Sequence, residues 1–339
     1  MSTAGLANAG ISAYAATDQA ARLRSVMQRL SAGAVPIAAD PPAPASVPWI
    51  AICSGKGGVG KTNAAVNISI ALAQRSIRAT LVDADLGMAN ADVLCGLTPL
   101  RRLDSTVGDH AVDPGTLARL AVRAPGGFTL VPGAVGVARM ADLNAGQREA
   151  LLRAMVSLED ASDVVIVDTG AGLGPGVLTF AHAADATLVV ATPEPTSIAD
   201  AYALIKCMAR SEGGPNQLGP NQLGPNRTSP SRRVWLLVNQ AADEREAFGV
   251  HARLAATCSR FLGFSPLLMG WIADDPAIPW SVRKRTPLLL ACPRCRASRD
   301  VRRVAGKVAQ ALSLGGPVGS RAAVAVPSWK QRIASLLGP

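Results

Sequence analysis

Nine residues, Ser54-Gly55-Lys56-Gly57-Gly58-Val59-Gly60-Lys61-Thr62, carry the clearest chemistry in this chain. Glycines at 55, 57, 58 and 60 let backbone N–H groups turn inward around an anion, beside the positive end of a following helix. Lys61 can then reach the β- and γ-phosphates of a nucleotide, and the Thr62 hydroxyl can ligate Mg²⁺. Gly-x4-Gly-Lys-Thr marks a phosphate-binding loop when a strand precedes it and a helix follows. Both are expected: an apolar run, Trp49 to Cys53, leads in, and a helix-like segment, Ala64 to Gln74, leads out. Gly55, Gly57 to Thr62 and Asn63 are therefore the expected nucleotide cradle.

Acidic residues recur where such a loop needs them. Asp83-Ala84-Asp85 closes a second apolar run, and carboxylates one residue apart on extended backbone point the same way. One can attend to a metal shell and the other to an attacking water. Val164-Val165-Ile166-Val167-Asp168 is a buried-strand pattern ending in an acid, and the glycines of Thr169-Gly170-Ala171-Gly172 let the next loop respond to a γ-phosphate. The chemistry implied is phosphoryl transfer to water, by positioning and charge neutralisation rather than covalent catalysis.

The second lysine sharpens the reading. Gly55-Lys56-Gly57-Gly58-Val59-Gly60-Lys61-Thr62 resembles the deviant Walker A motif of the MinD/ParA family. That resemblance implies an ATP-dependent homodimer in which Lys56 reaches the partner subunit's phosphates. It further implies Asp83 in the Mg²⁺ shell, Asp85 positioning water, Asp168 holding Mg²⁺ through water, and Asn239 reading the base edge. Three more stretches narrow the choice. Asp18-Gln19-Ala20-x-x-Leu23-Arg24 resembles the N-terminal motif of the flagellar-number regulators FlhG and FleN. Asp83-Ala84-Asp85-Leu86-Gly87-Met88-Ala89-Asn90 resembles their switch I, and Thr192 to Lys206 the start of their post-switch helix. The family resemblance implies that Asp18, Gln19, Leu23 and Arg24 engage the GTPase FlhF. A flagellar transcription activator and flagellar switch proteins of the C-ring are further implied partners.

Those motifs need a scaffold. Near-continuous apolar strands are expected at Ile50–Cys53, Ala79–Val82, Phe128–Val131, Val164–Val167, Thr187–Ala191, Val234–Val238 and Leu267–Trp271, with helices between most of them. This is the pattern of an α/β fold, a doubly wound and mostly parallel sheet covered on both faces, whose ligands bind at the carboxyl ends of its strands. The expected domain spans 49–313, interrupted at 212–232 by a Gly-Pro-Asn-Gln-Leu repeat that cannot bury a core. Ahead of it, residues 1–48 hold a capped helix over 17–30 and an Ala/Pro linker; the helix suits either a partner or its own domain. Behind it, residues 314–339 end in a short helix. There Trp329, Ile333, Leu336 and Leu337 share one face, which fits an anionic membrane surface or a packed interface.

Bulk properties set the limits. No apolar run approaches the ~18 residues of a membrane span. The N-terminus lacks the basic start of a signal peptide, and six scattered cysteines suit a reducing cytoplasm, so the expected location is cytoplasmic with reversible membrane contact. Net charge is +10, and residues 251–307 hold eleven Lys/Arg against three Asp/Glu. A basic face of that kind keeps open a DNA-partition ATPase resembling ParA. Cys292-Pro293-Arg294-Cys295 has metal-ligand spacing but is half a site, which leaves an iron–sulfur carrier as a further alternative. His110, His182 and His251 lack partner patterns and read as structural or surface residues.

Overall fold

Consecutive apolar residues in a strand leave neither face for water, so each strand here must lie inside a sheet covered twice. The computed structural model describes residues 47–85, 88–100, 116–133, 151, 153–211 and 234–314. The helix expected at 17–30, the insertion at 212–232 and the tail from residue 315 lie outside the described residues.

The chain runs β1 (Trp49–Ser54), α1 (Lys61–Ala73), β2 (Ala79–Ala84), α2 (Ala91–Leu94), α3 (Thr116–Leu120), β3 (Val122–Arg123), β4 (Thr129–Val131) and a 3₁₀ turn over Val156–Ala161. It continues through β5 (Val164–Ala171), α4 (Pro175–Ala183), β6 (Ala186–Ala191), α5 (Pro195–Ser211), β7 (Val234–Ala241) and α6 (Glu244–Leu262). Next come β8 (Leu267–Ala273), α7 (Ala277–Arg283), α8 (Leu288–Ala291) and α9 (Arg296–Ala311). All seven expected strands form, most of them running a residue or more further than the apolar pattern alone indicated. The short β3 was not anticipated.

Spatial order is β3-β4-β2-β5-β1-β6-β7-β8. Every pairing is parallel except β3 with β4. Pleat alternation divides β1 cleanly. Trp49, Ala51 and Cys53 face a core shared with α4, α5 and α6, and Ile50 and Ile52 face one shared with α1, α8 and α9. Val164 to Val167 of β5 are all fully buried, and burying each valine is worth about 1.5–3 kcal/mol. The strand that carries Asp168 is therefore among the firmest parts of the fold.

Loop ends follow from capping chemistry. Asp243 caps α6 by accepting the Glu246 N–H at 2.8 Å, and Gly263, in the left-handed region, stops it. The start of α1 is different: Gly60 precedes it, with no side-chain cap and no acid in the first turn. Among the described residues no side chain caps its first-turn N–H groups, which leaves them able to receive an anion.

Candidate active site

The carboxyl ends of β1, β2, β5, β6 and β7 converge on the loop between β1 and α1. Gly57 and Gly58 at its crown are exposed, while Val59 is buried and roots it. Two glycines are dictated by close approach. A Cβ at Gly55 would collide with the Asp200 carbonyl of α5, and a Cβ at Gly60, where φ is +81°, would collide with the Asn239 side chain.

Lys61 turns back toward the sheet. Its ammonium, 7 % exposed, donates to Asp168 Oδ1 at 2.6 Å. Burial works against the Lys61 charge, but the Asp168 carboxylate outweighs it, helped by Asp85 and Asp83, and holds the ammonium above the usual lysine range. Asp168 itself is fully buried, with Oδ2 left without a hydrogen-bond partner. Burial holds the Asp168 carboxyl above the usual carboxylate range, against the opposing pull of Lys61 and of the Thr62 hydroxyl.

Parallel register places Asp83 directly beside Asp168. Asp83 Oδ2 accepts the Asn90 and Ala91 N–H groups, both at 2.9 Å, and so pins the start of α2. Burial first, and then the Asp168 charge, push the Asp83 carboxyl up to about 7 against these backbone donors. Asp85 lies just past the strand, its Oδ1 3.5 Å from where a Gly170 Cβ would stand. The carboxylates expected from sequence are thus gathered around one ammonium. Oxygen donors with an open carboxylate position suit Mg²⁺, which keeps several waters and substrate oxygens rather than an all-protein cage.

Two expected residues are placed in ways the motifs did not indicate. Lys56 does not reach into its own loop: its ammonium donates to Glu194 Oε2 at 2.6 Å and to Thr196 Oγ1 at 3.1 Å. Asn239, expected at a base edge, lies beneath the loop and donates its amide to the Val59 carbonyl at 2.7 Å, leaving a buried Oδ1 with no hydrogen-bond partner. Thr192 Oγ1, past the end of β6, is likewise buried and unbonded. Sequence reasoning missed Thr192, Glu194 and Asp200 as site residues. Their place just past β6 was the available signal, since ligands gather at carboxyl ends of strands.

Outside this site, Cys292 and Cys295 meet in a turn, and no group of three or more metal-ligating side chains assembles among the described residues. His251 Nε2 lies 3.1 Å from the Pro266 carbonyl, in keeping with a structural role. Part of the basic stretch is internally occupied: Arg296 and Arg303 lie over the Trp271 ring, and Arg302 donates to the Pro293 carbonyl. No helix among the described residues is long and apolar enough to cross a membrane.

Comparison with known proteins places this geometry in context. The family model described as an AAA domain matches residues 47–215. The chain is 39 % identical to the antiactivator FleN of Pseudomonas aeruginosa over 259 residues, 76 % of this chain and 85 % of that protein. It is 26 % identical to the flagellum site-determining protein YlxH of Helicobacter pylori, across 79 % of this chain and 83 % of the relative. The fold superimposes on the septum site-determining protein MinD of Pyrococcus horikoshii, a structure complexed with Mg-ADP. The TM-score is 0.59 at 20 % identity, over 77 % of this chain and 95 % of that one.

Proposed function

Because the chain belongs to the MinD/ParA-family ATPases of the flagellar-number regulator type, the FlhG/FleN/YlxH kind, we propose that it is an ATP-driven dimerisation switch that limits flagellar number by engaging FlhF. The observation that supports the ATP-driven part of the reading is the pairing of an uncapped α1 N-terminus with Lys61, Asp83, Asp85 and Asp168 gathered beneath it.

Each side chain has a derivable task. Free N–H groups of the loop and of the first turn of α1 receive the phosphate oxygens. Lys61 exchanges Asp168 for a phosphate when ATP enters, and this frees a second acceptor position on Asp168. Thr62, Asp83 and Asp168 would hold Mg²⁺, which when bound supplies positive charge against the developing negative charge of the transferring phosphoryl group. Asp85, outside the strand and next to Gly170, orients the attacking water. Asn239 supports the loop through Val59 and, once nucleotide is bound, reads the base.

Lys56 completes the mechanism from the other subunit. In the free subunit it rests on Glu194 and Thr196, outside its own phosphate cradle. ATP-dependent pairing releases it to the partner's phosphates, where it neutralises transition-state charge as an arginine finger does. Hydrolysis then separates the subunits.

The output lies in the flanks. Residues 17–30, through Asp18, Gln19, Leu23 and Arg24, stimulate FlhF. Trp329, Ile333, Leu336 and Leu337 of the tail hold the ATP dimer reversibly on an anionic inner membrane surface. Restraint of a flagellar transcription activator and contact with C-ring proteins belong to the same proposal. The deciding experiment is FlhF GTP turnover with and without a peptide spanning Tyr14 to Leu30. Stimulation that disappears with Asp18→Ala and Gln19→Ala supports the reading, and unchanged turnover overturns the FlhF assignment.

A further inference from the structure

Cys292-Pro293-Arg294-Cys295 is not used by the ATP site, yet its geometry is specific. Cys292 ends α8 and Cys295 caps α9, a helix of 16 residues. The Cys295 N–H donates to the Cys292 carbonyl at 3.3 Å, which closes a four-residue turn. Such a turn holds its end Cα atoms within about 7 Å, and a disulfide spans about 4.4–6.8 Å. Pro293 at the second position fixes φ where this turn needs it. Both Cys292 and Cys295 are partly exposed, whereas Cys53, Cys95 and Cys258 are buried.

We propose that Cys292 and Cys295 form a reversible dithiol–disulfide site whose reaction partner is a low-molecular-weight disulfide. Cys295 is fixed for the second step: Sγ accepts the Ser298 N–H at 3.4 Å and its S–H donates to Ser298 Oγ at 3.2 Å. With its Sγ held by Ser298 on both counts, and its thiol raised above the ordinary range by burial, Cys295 is the resolving group and entry is through Cys292. The Cys292 thiolate attacks one sulfur of the small disulfide RSSR. A Cys292–SR bond forms and RS⁻ leaves, to take up the proton that Cys292 released. The Cys295 thiolate then attacks the Cys292 sulfur, forms the internal disulfide and expels the second RS⁻, which takes the Cys295 proton. Two thiols are oxidised and one disulfide is reduced, with two electrons transferred and no other oxidant. The turn is close to the ATPase core, since Leu289 of the preceding α8 donates its N–H to Asn67 of α1 at 2.9 Å.

The test uses the full chain, first reduced and then equilibrated in a series of reduced-to-oxidised glutathione ratios without nucleotide. Free thiols are alkylated and the cysteine peptides are read by mass spectrometry. Cys292 and Cys295 are expected to lose alkylation together, with one two-electron midpoint, and to recover it fully when reduced glutathione is in excess. Cys295→Ser is expected to trap a glutathione adduct on Cys292. The proposal is overturned if both thiols stay alkylatable across the series. It is equally overturned if the unmodified chain accumulates an open glutathione adduct, or if either cysteine pairs elsewhere.

Discussion

Asp83 offers a test in which charge, burial and pH can be separated. Its carboxyl rises from an ordinary 3.8 to about 7 because it is buried beside Asp168. A native state that holds the proton more tightly than the unfolded chain gains stability at low pH and loses it as pH climbs through the native value. The contribution is complete below about pH 4 and gone above about pH 7. A difference of about three units, at about 1.36 kcal/mol per unit, is on the order of 4 kcal/mol. Asp83→Asn removes the titration but keeps the side chain's shape. A single carbonyl oxygen can still accept the Asn90 and Ala91 N–H groups, while the weaker 3.3 Å bond from the Asp85 N–H is lost. That loss costs about 1–3 kcal/mol. The variant should therefore be about 1–3 kcal/mol more stable than the parent near pH 8, and this advantage should shrink by about 2–3 kcal/mol on going to pH 5. For a domain of this size that is roughly 2–4 °C in Tm per kcal/mol. Urea unfolding followed by circular dichroism, in EDTA and without nucleotide, reads both curves from about pH 5 to pH 8.5. Parallel curves, with a difference that does not move with pH, would refute the reasoning that Asp83 carries an uncompensated charge in the free protein. The same variant should lose ATP turnover while gaining stability at pH 8, as expected of a group held at a functional site against its own folding energetics.

The other expectations concern neighbours of Asp83. Lys61→Met leaves Asp168 buried without its cation, which should cost about 3–5 kcal/mol at pH 8 and abolish ATP-induced dimers on a sizing column; a normal dimer would remove Lys61 from the phosphate role. Asp85→Ala should still bind ATP but hydrolyse it slowly and hold the dimer together, so turnover equal to the parent's would remove Asp85 from water positioning. Glu194→Gln releases Lys56 from an exposed ion pair, 39 % and 59 % accessible at the two side chains and worth less than about 1 kcal/mol. With one such pair broken in each subunit, the ATP-dependent dimerisation constant should then tighten by no more than about 30-fold. Sedimentation velocity checks this, and an unchanged constant would mean that the pair does not restrain Lys56.

The sheet and the phosphate loop were legible because their signals are local. Val164 to Val167 read as a buried strand from four consecutive residues, and Gly55 to Thr62 carry loop, cation and hydroxyl within one short span. What escaped was set by distance along the chain. Glu194 is 138 residues from Lys56, and Asn239 is 180 residues from the Val59 carbonyl that it supports. Only the parallel order β5-β1-β6-β7 brings these segments to one edge, and strand order is not written in any single motif. The surroundings of Asp83 escaped for a different reason. Its spacing from Asp85 announces a pair of acids, but its burial and its grip on the Asn90 and Ala91 N–H groups depend on how the chain turns after β2. That grip ties the Asp83 carboxylate to the backbone that opens α2. A cation or phosphate that draws on Asp83 must therefore compete with the bonds that position α2. On the proposed function, filling the site therefore pulls directly on the start of α2.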